Sequence, residues 1–156
     1  MTYMIEGLSP EPFVPLFALS DMALAERRAR TVIADNATGY PCRVSLRDAD
    51  EGERLLLVHH MNHAVETPYR NGFAIFVREA ATKPARFVDE IPPSFEHRPL
   101  GLRGYTLGGD LHAARLALPG QADETLCIMF EDPKLAYIDA HNAAHGCFAA
   151  RVLRHG

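Results

Sequence analysis

The sequence predicts an α+β fold, a mainly antiparallel sheet of about seven or eight strands with two helices packed against it. Three observations carry this reading. Short apolar runs recur between clusters of Gly, Pro, Asn and Asp, as strands do between turns. Helical spacing is confined to two stretches, near 20–29 and 121–132. Strands and helices do not alternate, which argues against a doubly wound parallel sheet.

Composition bounds the function. The 156 residues fit one domain, 1–156, long enough to bury roughly two-thirds of the surface that the unfolded chain exposes. Apolar content of 47% and charged content of 23% suit a globular chain rather than a disordered one. Net charge is −4, and no basic cluster exceeds Arg27, Arg28 and Arg30, so nucleic acid is not an expected partner. No apolar run approaches the ~18 residues of a membrane span, and the opening residues lack a basic-then-apolar leader pattern. No membrane partner is expected, and the expected location is the cytoplasm. Cys42, Cys127 and Cys147 form no CxxC pair, so they read as reduced thiols.

Residues 2–7 read as a first strand, followed by a proline-broken connection. Ser20 is the expected N-cap of a short helix running to about Ala29, with Leu19 and Leu24 as its hydrophobic staple. TVIAD (31–35) reads as a strand. CRVSLR (42–47) alternates, with Cys42, Val44 and Leu46 on one face and Arg43, Ser45 and Arg47 on the other. Together with ERLLLVHH it predicts a hairpin around the acidic turn DADEG, the second strand being apolar on both faces and therefore interior.

Asn71-Gly72 reads as a turn leading into the strand FAIFVRE. The stretch 80–99, with Pro84, Pro92, Pro93 and Pro99, reads as a long loop that could act as a lid. PLGLRGYTL and LHAARLAL predict a hairpin around Gly108-Gly109-Asp110. Gln121–Asp132 predicts the second helix, with Ala122, Leu126, Met129 and Phe130 on its buried face and Pro133 ending it.

LAYIDAHNAAHGCFAARVLR (135–154) predicts the closing hairpin and holds the richest group of reactive side chains. If His141 pairs with Cys147, then Ala140 faces Phe148, Ile138 faces Ala150 and Ala136 faces Val152, giving one apolar face. In that register the imidazole and the thiol are cross-strand neighbours with Cβ atoms ~5 Å apart. An imidazole at that distance would favour the thiolate, making Cys147 and His141 the candidate catalytic pair, with Asp139 on the same face. A slip of the register would redistribute these side chains. The plainer reading is a small buried cysteine beside a histidine that satisfies a loop hydrogen bond.

Arg70, held between Pro68 and Asn71-Gly72 with Tyr69 beside it, suits capture of a carboxylate or phosphate. Arg43 and Asn142 join Tyr69 and Arg70 as candidate ligand-binding residues, although either arginine could instead tie a loop to backbone carbonyls. HHMNH (59–63) has no HExxH pattern or accompanying carboxylate, and DADEGE lacks the glycine and glutamate positions of a calcium loop. No metal and no cofactor is expected.

Three stretches, GYPCRVSL, TPYRNGFAIFVRE and HNAAHGCFAARV, resemble the bacterial family known as domain of unknown function 1203. The matching residues are Pro41, Cys42 and Arg43; Pro68, Tyr69 and Arg70; and Asn142, Gly146 and Cys147. The resemblance extends over nearly the whole chain, opening strand included. The strand after Gly72 departs from the family's Gly-Pro-Ile-Phe-Val-Arg. The resemblance implies no established activity, substrate or cofactor.

Two readings follow. One is a protein with a single site for a small anionic ligand, or a thiol-dependent enzyme performing acyl transfer or redox chemistry. The other is a non-catalytic interaction module with core cysteines, its strand edges pairing with a second copy as a homodimer. They differ in whether Arg70, His141 and Cys147 line one concavity.

Overall fold

The computed structural model describes residues 2–156. Along the chain lie β1 (Tyr3–Glu6), a 3₁₀ helix (Val14–Ala18), α1 (Asp21–Glu26), β2 (Ala29–Ile33), β3 (Arg54–His63) and β4 (Asn71–Arg78). They are followed by β5 (Arg86–Val88), α2 (Pro93–Glu96), β6 (Leu100–Tyr105), β7 (Leu111–Ala117), α3 (Ala122–Phe130), β8 (Tyr137–Asn142) and β9 (Phe148–Arg154). Among the described residues the strands form two antiparallel sheets, ordered β5-β1-β9-β8-β6-β7 and β2-β3-β4. The α+β, antiparallel reading holds, but among the described residues there are nine strands rather than seven or eight, divided into two sheets, and a third short helix.

One face of the larger sheet is the main core. Ile5, Val152 and Ile138 stand in one cross-strand row, and Ala150, Ala140 and Leu102 in the next. Leu126, Met129 and Phe130 of α3 pack on these rows. All four residues expected on the apolar face of α3 are buried, since i, i+3 and i+4 spacing sets one stripe toward the sheet. Arg154, at the end of β9, donates to the carbonyls of Phe130, Asp132 and Leu135, so its guanidinium closes the C-terminal end of α3.

In the smaller sheet β3 is the central strand, as its two-sided apolar pattern predicts. Leu56, Val58, Ile75 and Val77 pack against Phe13, Leu24, Cys42 and Val44. Ser20 caps α1 as expected, its Oγ accepting the Ala23 N–H at 3.2 Å. The helix stops at Glu26 rather than near Ala29, because Arg28 takes a left-handed φ of 52° and turns the chain into β2.

Three expectations need correction. CRVSLR is a compact turn, not a strand. The Leu46 N–H bonds the Cys42 carbonyl and Leu46 has φ 54°, while the Cys42 sulfur accepts the N–H groups of Val44, Ser45 and Arg78. These local bonds outcompete a strand ladder, and the expected hairpin with β3 does not form. Instead β3 pairs with β2 and β4. Asn71-Gly72 opens β4 rather than making the turn, which lies earlier, at the Arg70 N–H to Thr67 carbonyl bond. Glycine is needed at 72 because a Cβ there would come within 2.9 Å of the His60 carbonyl oxygen. Finally, 80–99 is not a free lid: β5 pairs with β1, and Ala85 and Ser94 donate to the carbonyls of Val44 and Leu46.

Candidate functional site

The second face of the larger sheet is polar and meets one end of the smaller sheet. Asp139, which is 0% exposed, takes a bidentate bond from Arg151 directly across the strand pair, at 2.7 and 2.9 Å. Arg151 also donates to the Asn62 carbonyl and covers the Tyr137 ring at 4.4 Å. Burial works against the Arg151 charge, but the bonds to Asp139 outweigh it and its pKa is raised. His63 is fully used: Nδ1 donates to the Tyr69 carbonyl, and Nε2 accepts from the Tyr137 hydroxyl at 2.7 Å. Its ring also stacks on Tyr105. His59 is exposed, so the HHMNH residues do not converge, and no cluster among the described residues has the makings of a metal site.

The closing hairpin has a different register from the expected one. Ile138 pairs with Val152, Ala140 with Ala150 and His141 with Phe148, and the irregularity at Ala140/His141 leaves Ala149 unpaired. The turn dictates this: the Gly146 N–H bonds the Asn142 carbonyl, the Asn142 N–H bonds the Cys147 carbonyl, and Gly146 supplies a left-handed φ of 77°. Sliding the partners by two keeps Ile138, Ala140, Ala150 and Val152 on the core face. The bulge then takes back one residue, so that Phe148, not Cys147, stands opposite His141.

His141 is therefore not the thiol's cross-strand partner. It is 1% exposed, flanked edge-on by Phe73 and Phe148, and its Nδ1–H donates to the Gly146 carbonyl at 2.9 Å. That bond leaves Nε2 with its lone pair, and no atom of the described residues pairs with it. Burial, reinforced by the charge of Arg103, pulls the His141 pKa down to about 4.

Cys147 faces elsewhere, into a cavity of about 410 Å³ where the β8–β9 turn meets the edge of the smaller sheet. Arg43, Arg98, Asn142, His145 and Cys147 supply its polar groups, and Leu57, Phe73 and Phe76 its apolar wall. Arg43 is 2% exposed and lies on the 42–47 turn. Its Nε donates to the Phe148 carbonyl, Nη1 to the Pro41 carbonyl and Nη2 to Cys147 Sγ at 3.1 Å. Asn142 Nδ2 approaches the same sulfur at 3.5 Å.

Among the described residues no carboxylate pairs with Arg43. Nη1 and Nη2 each have one acceptor among the described residues, which leaves one N–H on each without a partner there. Burial lowers the Arg43 pKa, the Cys147 sulfur opposes that, and the like charge of Arg98 adds to it. Arg98 is held at 2.8 Å by Asp48 and by the carbonyls of Ser94 and Thr38.

Of the expected site residues, Arg43, Asn142 and Cys147 thus share one concavity. His141 lies outside its lining, and so do Tyr69 and Arg70, so Arg70, His141 and Cys147 do not converge as the single-site reading required. A different set, built on Arg43, lines the concavity with Cys147. Tyr69 and Arg70 are exposed on the β3–β4 loop, where Arg70 bonds Glu66 and the Val65 carbonyl. His145 belongs to the group of reactive side chains read in the 135–154 hairpin but was given no role there, and Arg98 was not singled out from the sequence. His145 stands within the HNAAHGC stretch and Arg98 between Pro93 and Pro99, but neither position has a local pattern that marks a cavity.

No curated protein and no solved structure matches the chain. No helix among the described residues is long and apolar enough to cross a membrane. The family described as "Protein of unknown function (DUF1203)" matches residues 39–154, from the glycine before the Pro41-Cys42-Arg43 turn to the end of β9. The opening strand expected to share the resemblance lies before the match. With the cavity residues all but Thr38 inside that span, the chain belongs to the DUF1203 family.

Proposed function

We propose that this protein binds a small anionic ligand in the Arg43–Cys147 cavity, with the thiol facing the bound molecule. One observation carries the reading: a buried guanidinium that lines a concave site has no carboxylate partner among the described residues and does not spend all its N–H groups. A buried charge is stable only when paired, and unspent buried donors call for acceptors. A ligand carboxylate or phosphate supplies both. Arg98 adds a second guanidinium, with Asp48 as the opposing carboxylate beside it, and His145 lines the same cavity. The wall of Leu57, Phe73 and Phe76 favours a ligand with an apolar body behind its anionic group.

The test is thermal-shift screening of the full chain against small carboxylates and phosphates, read alongside alkylation of Cys147 by neutral iodoacetamide. The expected ligand raises Tm by at least about 2 °C and slows alkylation. Arg43→Met should lose both effects. A broad anionic panel that moves neither readout overturns the proposal.

The interaction-module reading draws on a separate feature. Strand β7 is a free edge of the larger sheet and carries Leu116 at 62% exposure. Sedimentation showing a stable dimer that Leu116→Lys dissociates would support it.

A further inference from the structure

Within the Arg43–Cys147 cavity, we infer that Cys147 undergoes thiol–disulfide exchange with low-molecular-weight disulfides bearing carboxylates. This rests on the anion-binding reading above and names the ligand's chemistry.

Cys147 is the one cysteine among the residues lining the cavity, and it is half-buried rather than sealed. Cys42 is adjacent to Arg43 in the chain, but its sulfur is buried and occupied by the N–H groups of Val44, Ser45 and Arg78. Cys127 lies on α3, which packs on the opposite face of the larger sheet. No resolving thiol is therefore built into the site, and sulfur exchange there takes its partner from solution.

The surroundings then select that partner. Arg43 Nη2 and Asn142 Nδ2 both direct donors at Sγ, which fixes the sulfur at the cavity surface. Arg43, whose N–H groups are not all spent, and Arg98 both line the same cavity. A disulfide whose substituents end in carboxylates can thus dock its charged end on the guanidinium groups while one of its sulfurs meets Sγ.

The step balances without any other oxidant. Cys147 Sγ attacks the nearer sulfur of R–S–S–R, the new Sγ–S bond forms and the old S–S bond breaks. The leaving sulfur takes the bonding pair and gains, through solvent at the open mouth, the proton that Sγ gives up. Cys147–SH and RSSR become Cys147–S–SR and RSH.

The experiment compares three disulfides on the full chain: oxidised glutathione (acidic), hydroxyethyl disulfide (neutral) and cystamine (cationic). Intact-mass and peptide mapping give the rate of adduct formation at each cysteine. The expected result is modification at Cys147, about tenfold faster with the acidic disulfide than with the cationic one at low salt, the gap narrowing as salt is added. His145→Glu, a change at an exposed turn position, should shrink or reverse the preference. Equal rates for the three disulfides, or adducts confined to Cys127, overturn the inference. Cys147→Ser keeps the guanidinium groups and tests the anion-binding reading alone. If small carboxylates still raise its Tm while wild-type exchange ignores charge, the exchange inference fails and the binding reading stands.

Discussion

Arg43 Nη2 and Cys147 Sγ lie 3.1 Å apart although 104 residues separate them in the chain. One guanidinium joins the 42–47 turn, through the Pro41 carbonyl, to the β8–β9 hairpin, through the Phe148 carbonyl and Cys147. Only a planar fork reaches all three partners, and an ammonium on a flexible stem does not. Arg43→Lys should therefore destabilise the protein by roughly 1–3 kcal/mol in urea unfolding, despite keeping the charge. It should also speed alkylation of Cys147.

His141 makes stability depend on pH in a defined direction. Its pKa falls from about 6.5 unfolded to about 4 folded, so the unfolded chain binds the extra proton between those values. This favours the fold fully above pH 6.5, and the advantage is lost progressively as pH falls toward 4. Two and a half pH units correspond to roughly 3 kcal/mol. Urea midpoints of wild type and His141→Leu, measured from pH 4 to 7.5, should show a shallower acid slope in the variant.

The Asp139–Arg151 pair is asymmetric, with a fully buried carboxylate and a guanidinium that reaches the surface. Asp139→Ala leaves Arg151 without its bidentate acceptor between Tyr137 and Asn62, at a cost of about 3 kcal/mol. Arg151→Ala strands the carboxylate and should cost at least as much. The double variant Asp139→Ala/Arg151→Ala should be less destabilised than the sum of the two. A double-mutant cycle in urea measures that coupling.

Gly7 controls the cavity from a distance. A Cβ at this position would sit 2.0 Å from the Val44 carbonyl oxygen, which also accepts the Ala85 N–H. The next residue, Leu8, donates its N–H to the Arg43 carbonyl at 2.8 Å. Gly7→Ala should push the 42–47 turn outward, costing at least about 2 kcal/mol by thermal unfolding. It should also weaken ligand protection of Cys147.

What could be read from the sequence follows the range of the forces involved. Periodicity located α3 with its four buried residues, β3 as an interior strand, and the β6–β7 and β8–β9 hairpins, because each depends on nearby residues. The Ser20 cap is similarly local. The alternation of CRVSLR misled, since a sulfur that accepts three backbone N–H groups has no periodic signature. Arg43 was assigned to the polar face of a strand for the same reason, whereas it is buried at the turn. The hairpin register turned on a bulge at Ala149, so the grouping of core residues survived while the His141–Cys147 pairing did not. Arg98 depended on Asp48, 50 residues away, and no local pattern announces such a contact.

The family match begins at residue 39, yet β1 lies between β5 and β9 inside the larger sheet, and β2 flanks β3 in the smaller one. Cutting the chain to 39–154 would strip Tyr3 and Ile5 from the core and uncover the hydrogen-bonding side of β9. It would also remove the Leu8 N–H that holds the Arg43 backbone. The matched span thus leaves out a strand from each of the two sheets. Expression work or cross-family comparison built on the shared span alone would begin with a damaged protein.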